Sequence, residues 1–506
     1  MFASVPSAML RGARGQAVQV EVHLGKGLPG LHIVGLPDES IREARDRARA
    51  ALASSGFDWP NHLITISLAP CDGRKTGSGL DLAIAVGVLV VAGFIDVSRI
   101  EGLAFIGELG LDGSVRPIRG VVPIVAAIDN SDVVVPASTL VEANIAARGQ
   151  VHPVRTLREL LATLCDGEPW PDHEPRGPDI APLHVPDLCE VQGQPLARLA
   201  LEIAAAGAHH SLFMGPPGSG KTMLASRLPG ILPPLERAQA LEATMVHSAA
   251  GAPLPPSGLI ERPPFRAPHH TSSQVAIIGG GSQVARPGEV SLAHHGVLFL
   301  DEIAEFPASV LDSLRQPLED GVVLPHRSQL RDPMPARFLL IAAMNPCPCG
   351  GGGGPGDCTC GDAALQRYTR RLSGPVLDRF DLRVNVQRPA IDEIMASEPG
   401  EPSSVVAARV LEARRKALER QACLNRSIEP SDLDRFAPLE PAARARLRHE
   451  MERGRLSGRG YHRVRRVART IADLREGCSA AISEADAALA LELRASLSRS
   501  QQGRAA

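Results

Sequence analysis

Apolar and polar positions change their spacing several times along the chain. Over residues 1–165, short apolar runs with glycine turns (VQVEVHL, LHIVGLP, HLITISLAP, GLAFIGELGLDGSV) alternate with helical stretches such as ESIREARDRARAALASSG. This mixture predicts an α/β region. One run, LAIAVGVLVVAGFI at residues 82–95, is apolar throughout. It is too short to span a bilayer and Asp81 flanks it, so it reads as a buried core helix. Residues 166–182 are rich in proline and acid and predict a linker. Residues 183–395 return to strand–loop–helix signals, with SLFM, GVLFLDE and RFLLIAAMN as buried strands. Residues 396–506 are rich in alanine and arginine, poor in strand formers, and predict helices. The expected fold class is α/β and multidomain.

Composition narrows this little. The chain of 506 residues exceeds one hydrophobic core, and its 44% hydrophobic and 22% charged residues suit a soluble globular protein. A formal net charge of −2 gives no global nucleic-acid footprint, so any DNA contact must be local. Residues 401–506 carry 21 Lys/Arg against 14 Asp/Glu, which reads equally as a solvated helical surface or a nucleic-acid face. Only four lysines occur, Lys26, Lys75, Lys221 and Lys416, so a lysine inside a motif stands out. MFASVPSAMLRGARGQ lacks the apolar run of a secretory leader. A reducing cytoplasm is therefore expected, where clustered cysteines read as metal ligands before disulfides.

That motif is Gly215-Pro216-Pro217-Gly218-Ser219-Gly220-Lys221-Thr222, between the strand SLFM and the helix TMLASRL. Its glycines let backbone N–H groups converge on phosphate, and the helix N-terminus adds its positive end. Lys221 is placed to reach the β- and γ-phosphates of ATP, and the Thr222 hydroxyl to ligate Mg²⁺. GVLFLDE ends in Asp301, for the Mg²⁺ shell, and Glu302, to polarise the attacking water. RFLLIAAMN ends at Asn345, expected between the two loops and able to orient that water. In SGPVLDRFD, Arg379 is a candidate to stabilise γ-phosphate charge in a neighbouring subunit; a salt bridge to Asp378 or Asp381 is the structural alternative.

Together with PFRAPHHTSS, RPGEVSLAHHGVLFLDE and SGRGYHRVRRVARTIADL, these stretches resemble AAA+ ATPases of the magnesium-chelatase-like group, in the ComM/YifB branch. The resemblance covers nearly the whole chain. It implies that Asn345 is sensor 1, Arg379 the arginine finger, and Arg459 sensor 2 on a C-terminal helical lid, with Arg463 as fallback. It implies a hexameric ring, and ComM-type proteins are similar to DNA helicases that drive branch migration. The alternative it leaves is a chelatase-like ATPase remodelling a protein partner. Insertions are expected at about 245–293 and 321–340, with Arg266, His269, His270, Arg327 and Arg331 as candidate DNA contacts. The implied core spans 183–395 and the lid 396–506.

The N-terminal stretches PCDGRKTGSGLDLAIAVGVL and GELGLDGSVRPIRGVV resemble the proteolytic domain of Lon. Ser78 lies near the nucleophile position, but Val122 stands where that chemistry needs a lysine, and Lys75 is too close in sequence to be assumed a substitute. A Lon-like fold at 1–165 without peptidase activity is expected. The stretch NPCPCGGGGGPGDCTCG places Cys347, Cys349, Cys358 and Cys360 in two C-x-C pairs. Zinc, an iron–sulfur cluster and reduced structural thiols are the three readings. The isolated Cys71, Cys165, Cys189, Cys423 and Cys478 read as inert. No membrane partner is expected.

Overall fold

The computed structural model describes residues 1–35, 38–70, 77–129, 131–174, 185–281, 285–324, 332–351, 358–371, 374–389, 400–475, 477 and 480–494. Its first sheet follows largely from alternation, which breaks where Ser7, Ala8 and Met9 are all buried. β1 (Phe2–Arg11) and β2 (Arg14–Gly25) form a long antiparallel hairpin whose alternate residues are buried. β3 (Gly30–Val34) and β4 (Leu63–Ala69) complete the order β1-β2-β4-β3. Between them α1 (Glu39–Ser54) starts where Asp38 accepts the Ile41 N–H.

The apolar run at 82–95 forms α2 (Asp81–Val91), in which every residue is buried. Among the described residues, no helix is long and apolar enough to cross a membrane. Gly87 lets α2 lie close on the sheet: a Cβ there would stand 2.6 Å from Val22 Cγ2. A parallel sheet of β5 (Leu103–Phe105), β6 (Asp132–Pro136) and β7 (Val151–Val154) follows, with α3 (Val121–Ala126) before β6. α5 (Leu157–Asp166), preceded by α4 (Leu140–Ala146), ends at Gly167 with φ +73°. The stretch expected to be a linker is docked where it is described. Trp170 stacks on His152 with ring centroids 4.1 Å apart, and His173 lies 3.3 Å from Glu159. Residues 175–182 lie outside the described residues.

The second sheet is wholly parallel, in the order β9-β10-β13-β8-β14. Its strands are β8 (Ser211–Met214), β9 (Phe265–Arg266), β10 (Val297–Leu300), β13 (Leu339–Met344) and β14 (Leu382–Asn385). β8, β10 and β13 are buried along their whole length, as central parallel strands with both faces covered should be. α6 (Pro195–Gly207) precedes β8, α7 (Lys221–Ser226) follows it, and α8 (Arg237–Ala250) comes next. The expected insertion at about 245–293 is thus interrupted by an edge strand of the sheet itself, β9, and its first residues belong to α8. β11 (Val322–Val323) and β12 (Met334–Pro335) pair antiparallel within the expected insertion at about 321–340.

The helices expected after residue 396 are present as α10 (Ser403–Gln421), α11 (Pro441–Glu452), α12 (Gly458–Leu474) and α13 (Glu484–Glu492); α9 (Asp362–Arg371) precedes β14. They share one apolar core with the sheet, where Val410 and Ala413 join Ile203, Phe213 and Val384. The N-terminal region meets α8 through a small cluster of Ala13, Val246, Ala249 and Leu292. There the buried Val122 N–H donates to Ser248 Oγ at 3.3 Å.

Candidate nucleotide site

The loop from β8 to α7 contains Gly215, Pro216, Pro217, Gly218, Ser219 and Gly220. Gly218 and Gly220 have φ of +75° and +80°, the left-handed region that favours glycine. At Gly215 a Cβ would fall 2.1 Å from the Val386 carbonyl, so the close approach to the strand beside it also demands glycine. Lys221 opens α7, and its Nζ donates to the carbonyls of Gly215 (2.8 Å) and Pro216 (2.9 Å). The same Nζ lies 3.3 Å from Asn345 Oδ1. Burial lowers the Lys221 pKa, and the charges of Asp301 and Glu302 offset part of that.

Strand order decides what else reaches this loop. β13 runs between β8 and β10, so Asn345, just past its end, lies between the P-loop and the acidic pair. Thr222 Oγ1 donates to Asp301 Oδ2 at 2.7 Å, and Asp301 Oδ1 accepts the Glu302 N–H at 3.0 Å. A hydroxyl and a carboxylate that close together are hard oxygen donors suited to Mg²⁺. Glu302 holds a left-handed backbone, φ +49°, which turns the chain sharply at the strand end. A cavity of about 600 Å³ opens here, lined by Pro217 to Thr222, Asp301, Glu302 and Asn345. Gln194 and Glu190 line it too and no motif pointed to them. Gln194 Nε2 donates to the Ser219 carbonyl and to that of Gln387 (3.3 Å).

The arginines occupy a second cavity, of about 290 Å³. Arg379, Arg426, Arg459 and Arg463 line it with Glu319 and Asp378, and neither Arg379 nor Arg459 lines the cavity around Lys221. Arg379 is ion-paired with Glu319. Burial, then Arg463, Arg459 and Arg315, lowers its pKa. Arg459 is exposed in the first turn of α12. Arg463 is held by the buried Asp381 at 3.0 Å. Asp381 also meets Arg426 Nε at 3.2 Å and His209 Nδ1 at 3.6 Å.

The expected DNA contacts do not form one group. Arg266 is engaged by Glu289 at 2.6 and 2.8 Å, so its guanidinium already serves the fold. His270 Nδ1 stands 3.6 Å from Glu302 Oε2, on the nucleotide side, and its ring lies 4.1 Å from that of His269. Arg327 and Arg331 lie outside the described residues, as does Lys75. Several arginines of the basic C-terminal end point inward. Arg465, 4% exposed, donates to the carbonyls of Leu433 and Ala437, and Arg469 pairs with Asp473 at 2.8 Å. Ser78 donates to Glu108, and Val122 is fully buried.

Among the described residues, two clusters have the donor types of a metal site. In Glu242, His294 and His295, both imidazole Nε2 atoms meet one Glu242 oxygen, at 3.1 and 2.7 Å. His294 Nδ1 accepts the Arg337 N–H, so its Nε2 carries the proton and has no lone pair for a metal. The other cluster is Cys347, Cys349, Cys358 and Cys360, whose sulfurs all lie within 4.8 Å of one another. Backbone N–H groups of Gly351 and Thr359, then the thiols of Cys347 and Cys360, draw the Cys349 pKa down to about 6.

Comparison with known proteins accords with this geometry. The family described as magnesium chelatase, subunit ChlI matches residues 187–394. A second description of the same subunit matches 20–139, and its C-terminal part matches 400–494. The chain is 39% identical over 480 residues to the competence protein ComM of Haemophilus influenzae, covering 94% of each. It is 38% identical to the YifB protein of Escherichia coli, covering 92% of this chain and 91% of that one. An uncharacterised protein of Mycobacterium tuberculosis is 46% identical over 490 residues, 96% and 97% of the two chains.

Proposed function

This chain belongs to the magnesium-chelatase ChlI family, among relatives that include ComM and YifB. From that premise we propose that it hydrolyses ATP in a ring of identical subunits, six by the family resemblance, and uses the energy to move branched or single-stranded DNA. The observation that carries the ATPase reading is the convergence of Lys221, Thr222, Asp301, Glu302 and Asn345 on one cavity at the carboxyl ends of a parallel sheet. The backbone of Gly215 to Gly220 cradles the phosphates and Lys221 neutralises them. Thr222 and Asp301 would hold Mg²⁺, which would supply neutralisation of phosphate charge. Glu302 takes the proton of the attacking water, and Asn345 orients that water.

Arg379 and Arg459 line a cavity separate from Lys221, which supports a role on the nucleotide of a neighbouring copy. Charge developing on the γ-phosphate there would meet several guanidinium groups at once. In this reading 183–395 is the AAA+ core, 396–506 the helical lid, and 1–165 a Lon-like domain. Val122, buried and aliphatic, cannot deprotonate Ser78, so that domain has no peptidase role. DNA contact is assigned to the expected insertion at about 321–340, with Arg327 and Arg331 as phosphate ligands. Arg266, His269 and His270 remain in that set, with Arg266 also ion-paired to Glu289.

The test is ATPase rate with single-stranded, duplex and four-way DNA, beside junction migration, for the full chain and for Lys221→Ala. DNA should accelerate turnover, and Lys221→Ala should abolish both activities. Turnover indifferent to every DNA, with junctions still migrated by Lys221→Ala, overturns the proposal. The one other reading is an ATPase remodelling a protein partner, which predicts stimulation by that protein and not by DNA.

A further inference from the structure

The four-cysteine cluster is built into the nucleotide site. Cys347 follows Asn345 by two residues and is 2% exposed. Its carbonyl accepts the Gly350 N–H at 3.0 Å, closing a tight turn around Cys349. Gly350, with φ +77°, packs against the P-loop: a Cβ there would lie 2.7 Å from Pro217 Cγ. On the far side of the cluster, α9 sends the Tyr368 hydroxyl back to donate to the Asn345 carbonyl at 3.1 Å. The cysteine loop is therefore held between Pro217 and Asn345, and Asn345 in turn touches Lys221.

The sulfur geometry suits a single ion. Four thiolates about 2.3 Å from one zinc stand about 3.8 Å apart at the corners of a tetrahedron. Here Cys347 Sγ is 3.3 Å from Cys349 Sγ, and Cys349 Sγ is 3.8 Å from Cys358 Sγ. These distances are far longer than a disulfide bond of about 2.05 Å. A cluster of several irons spreads its cysteines around its own metal atoms, whereas these four sulfurs converge on one point, all within 4.8 Å.

We propose that Cys347, Cys349, Cys358 and Cys360 bind one zinc ion, and that this ion fixes the loop between Asn345 and the P-loop so that ATP turnover depends on it. Zinc has no redox chemistry and all four positions are taken by thiolates, so its part is structural. Without the ion the loop loses the crosslink that sets the position of Asn345. Positioning, not nucleotide affinity, is what should suffer, because the phosphate-cradling backbone of Gly215 to Gly220 does not include the loop. The coupling to turnover rests on the nucleotide-site reading; the metal assignment does not.

The experiment uses the full-length protein purified without added metal. Elemental analysis should find about one zinc per chain, and a mercurial should release it into a metal-indicator dye as the four thiols are titrated. Zinc below about a tenth of an equivalent, or iron in its place, overturns the assignment. The wild-type protein is then stripped of metal and refilled with zinc, beside a Cys349→Ser/Cys360→Ser variant whose fold is checked by circular dichroism. Stripping should lower kcat by about tenfold or more, with the dissociation constant of a fluorescent ADP analogue changed by less than about threefold, and zinc should restore kcat. Unchanged kcat in folded, zinc-free protein overturns the coupling. Zinc-replete protein with no ATPase at all overturns the coupling together with the nucleotide reading, and leaves the metal assignment standing.

Discussion

Asp381→Asn should destabilise the protein by about 3 kcal/mol and slow ATP turnover without weakening nucleotide binding. Asp381 is 5% exposed. One oxygen lies 3.0 Å from Arg463, and the other 3.2 Å from Arg426 and 3.3 Å from the His210 N–H. Burial pushes its pKa up, but His209, Arg426 and Arg463 outweigh burial and hold the carboxyl well below its usual range. Asparagine keeps the shape and removes the charge, leaving two guanidinium groups facing a neutral amide. Removing one member of a buried ionic cluster costs about 3–5 kcal/mol. Arg426 and Arg463 remain 28% and 18% exposed, so water compensates them in part and the lower end applies. Both arginines line the cavity of Arg379 and Arg459, so their displacement should reach turnover. The assay is urea denaturation with ATPase rate and nucleotide affinity in parallel. Asp378→Asn, at an exposed neighbour, should shift stability by less than about 0.5 kcal/mol. Because the folded pKa is depressed, the Asp381 contribution is fully present above about pH 4 and is lost only below it, so the deficit should be constant between about pH 6 and 8. A deficit under about 1 kcal/mol, or one that varies steeply over that range, refutes the reasoning.

Glu302→Gln should bind ATP as the parent does and hydrolyse it about 10²- to 10⁴-fold more slowly; retained turnover would remove Glu302 from the role of base. Burial, then the charge of His295, pushes His294 down to about 4 although Glu242 pulls it up. An unfolded histidine titrates near 6.5, so this contribution is whole above about pH 6.5 and falls by about 1.4 kcal/mol per unit below it, a loss of about 2 kcal/mol by pH 5. His209, His210 and His247, also depressed by burial, add in the same direction. His294→Gln should therefore show a shallower loss of urea stability between pH 7.5 and 5 than the parent, and equal losses would count against it. Gly87→Val should lower stability by about 1–3 kcal/mol, read as a lower melting temperature, because its Cβ would meet Val22.

Some of this protein is determined by residues near one another in the chain. The phosphate loop, its lysine and its hydroxyl lie within eight consecutive positions, and the helix and strand flanking them are set by local apolar spacing. The buried helix at 81–91 and the strands ending at Asp301 and Asn345 were legible for the same reason. What the sequence could not supply was strand order and partner choice. Phe265–Arg266 is two residues long and carries no periodic signal, yet it is the sheet edge beside the strand leading to Asp301. Whether Arg379 would meet Asp378, Asp381 or a residue sixty positions away depended on how α12, β14 and the segment holding Glu319 pack. The count of basic residues after 401 could not separate Arg465, inside the fold, from Arg459, outside it. His270 was named as a candidate DNA contact, but its place beside Glu302 lay beyond reach because the fold, not spacing, brings the two together. Local patterns set which backbone conformations the chain prefers and which chemistry each loop can carry. Only packing, in which long-range burial outweighs local preference, decided which loops share one cavity and which charges neutralise one another.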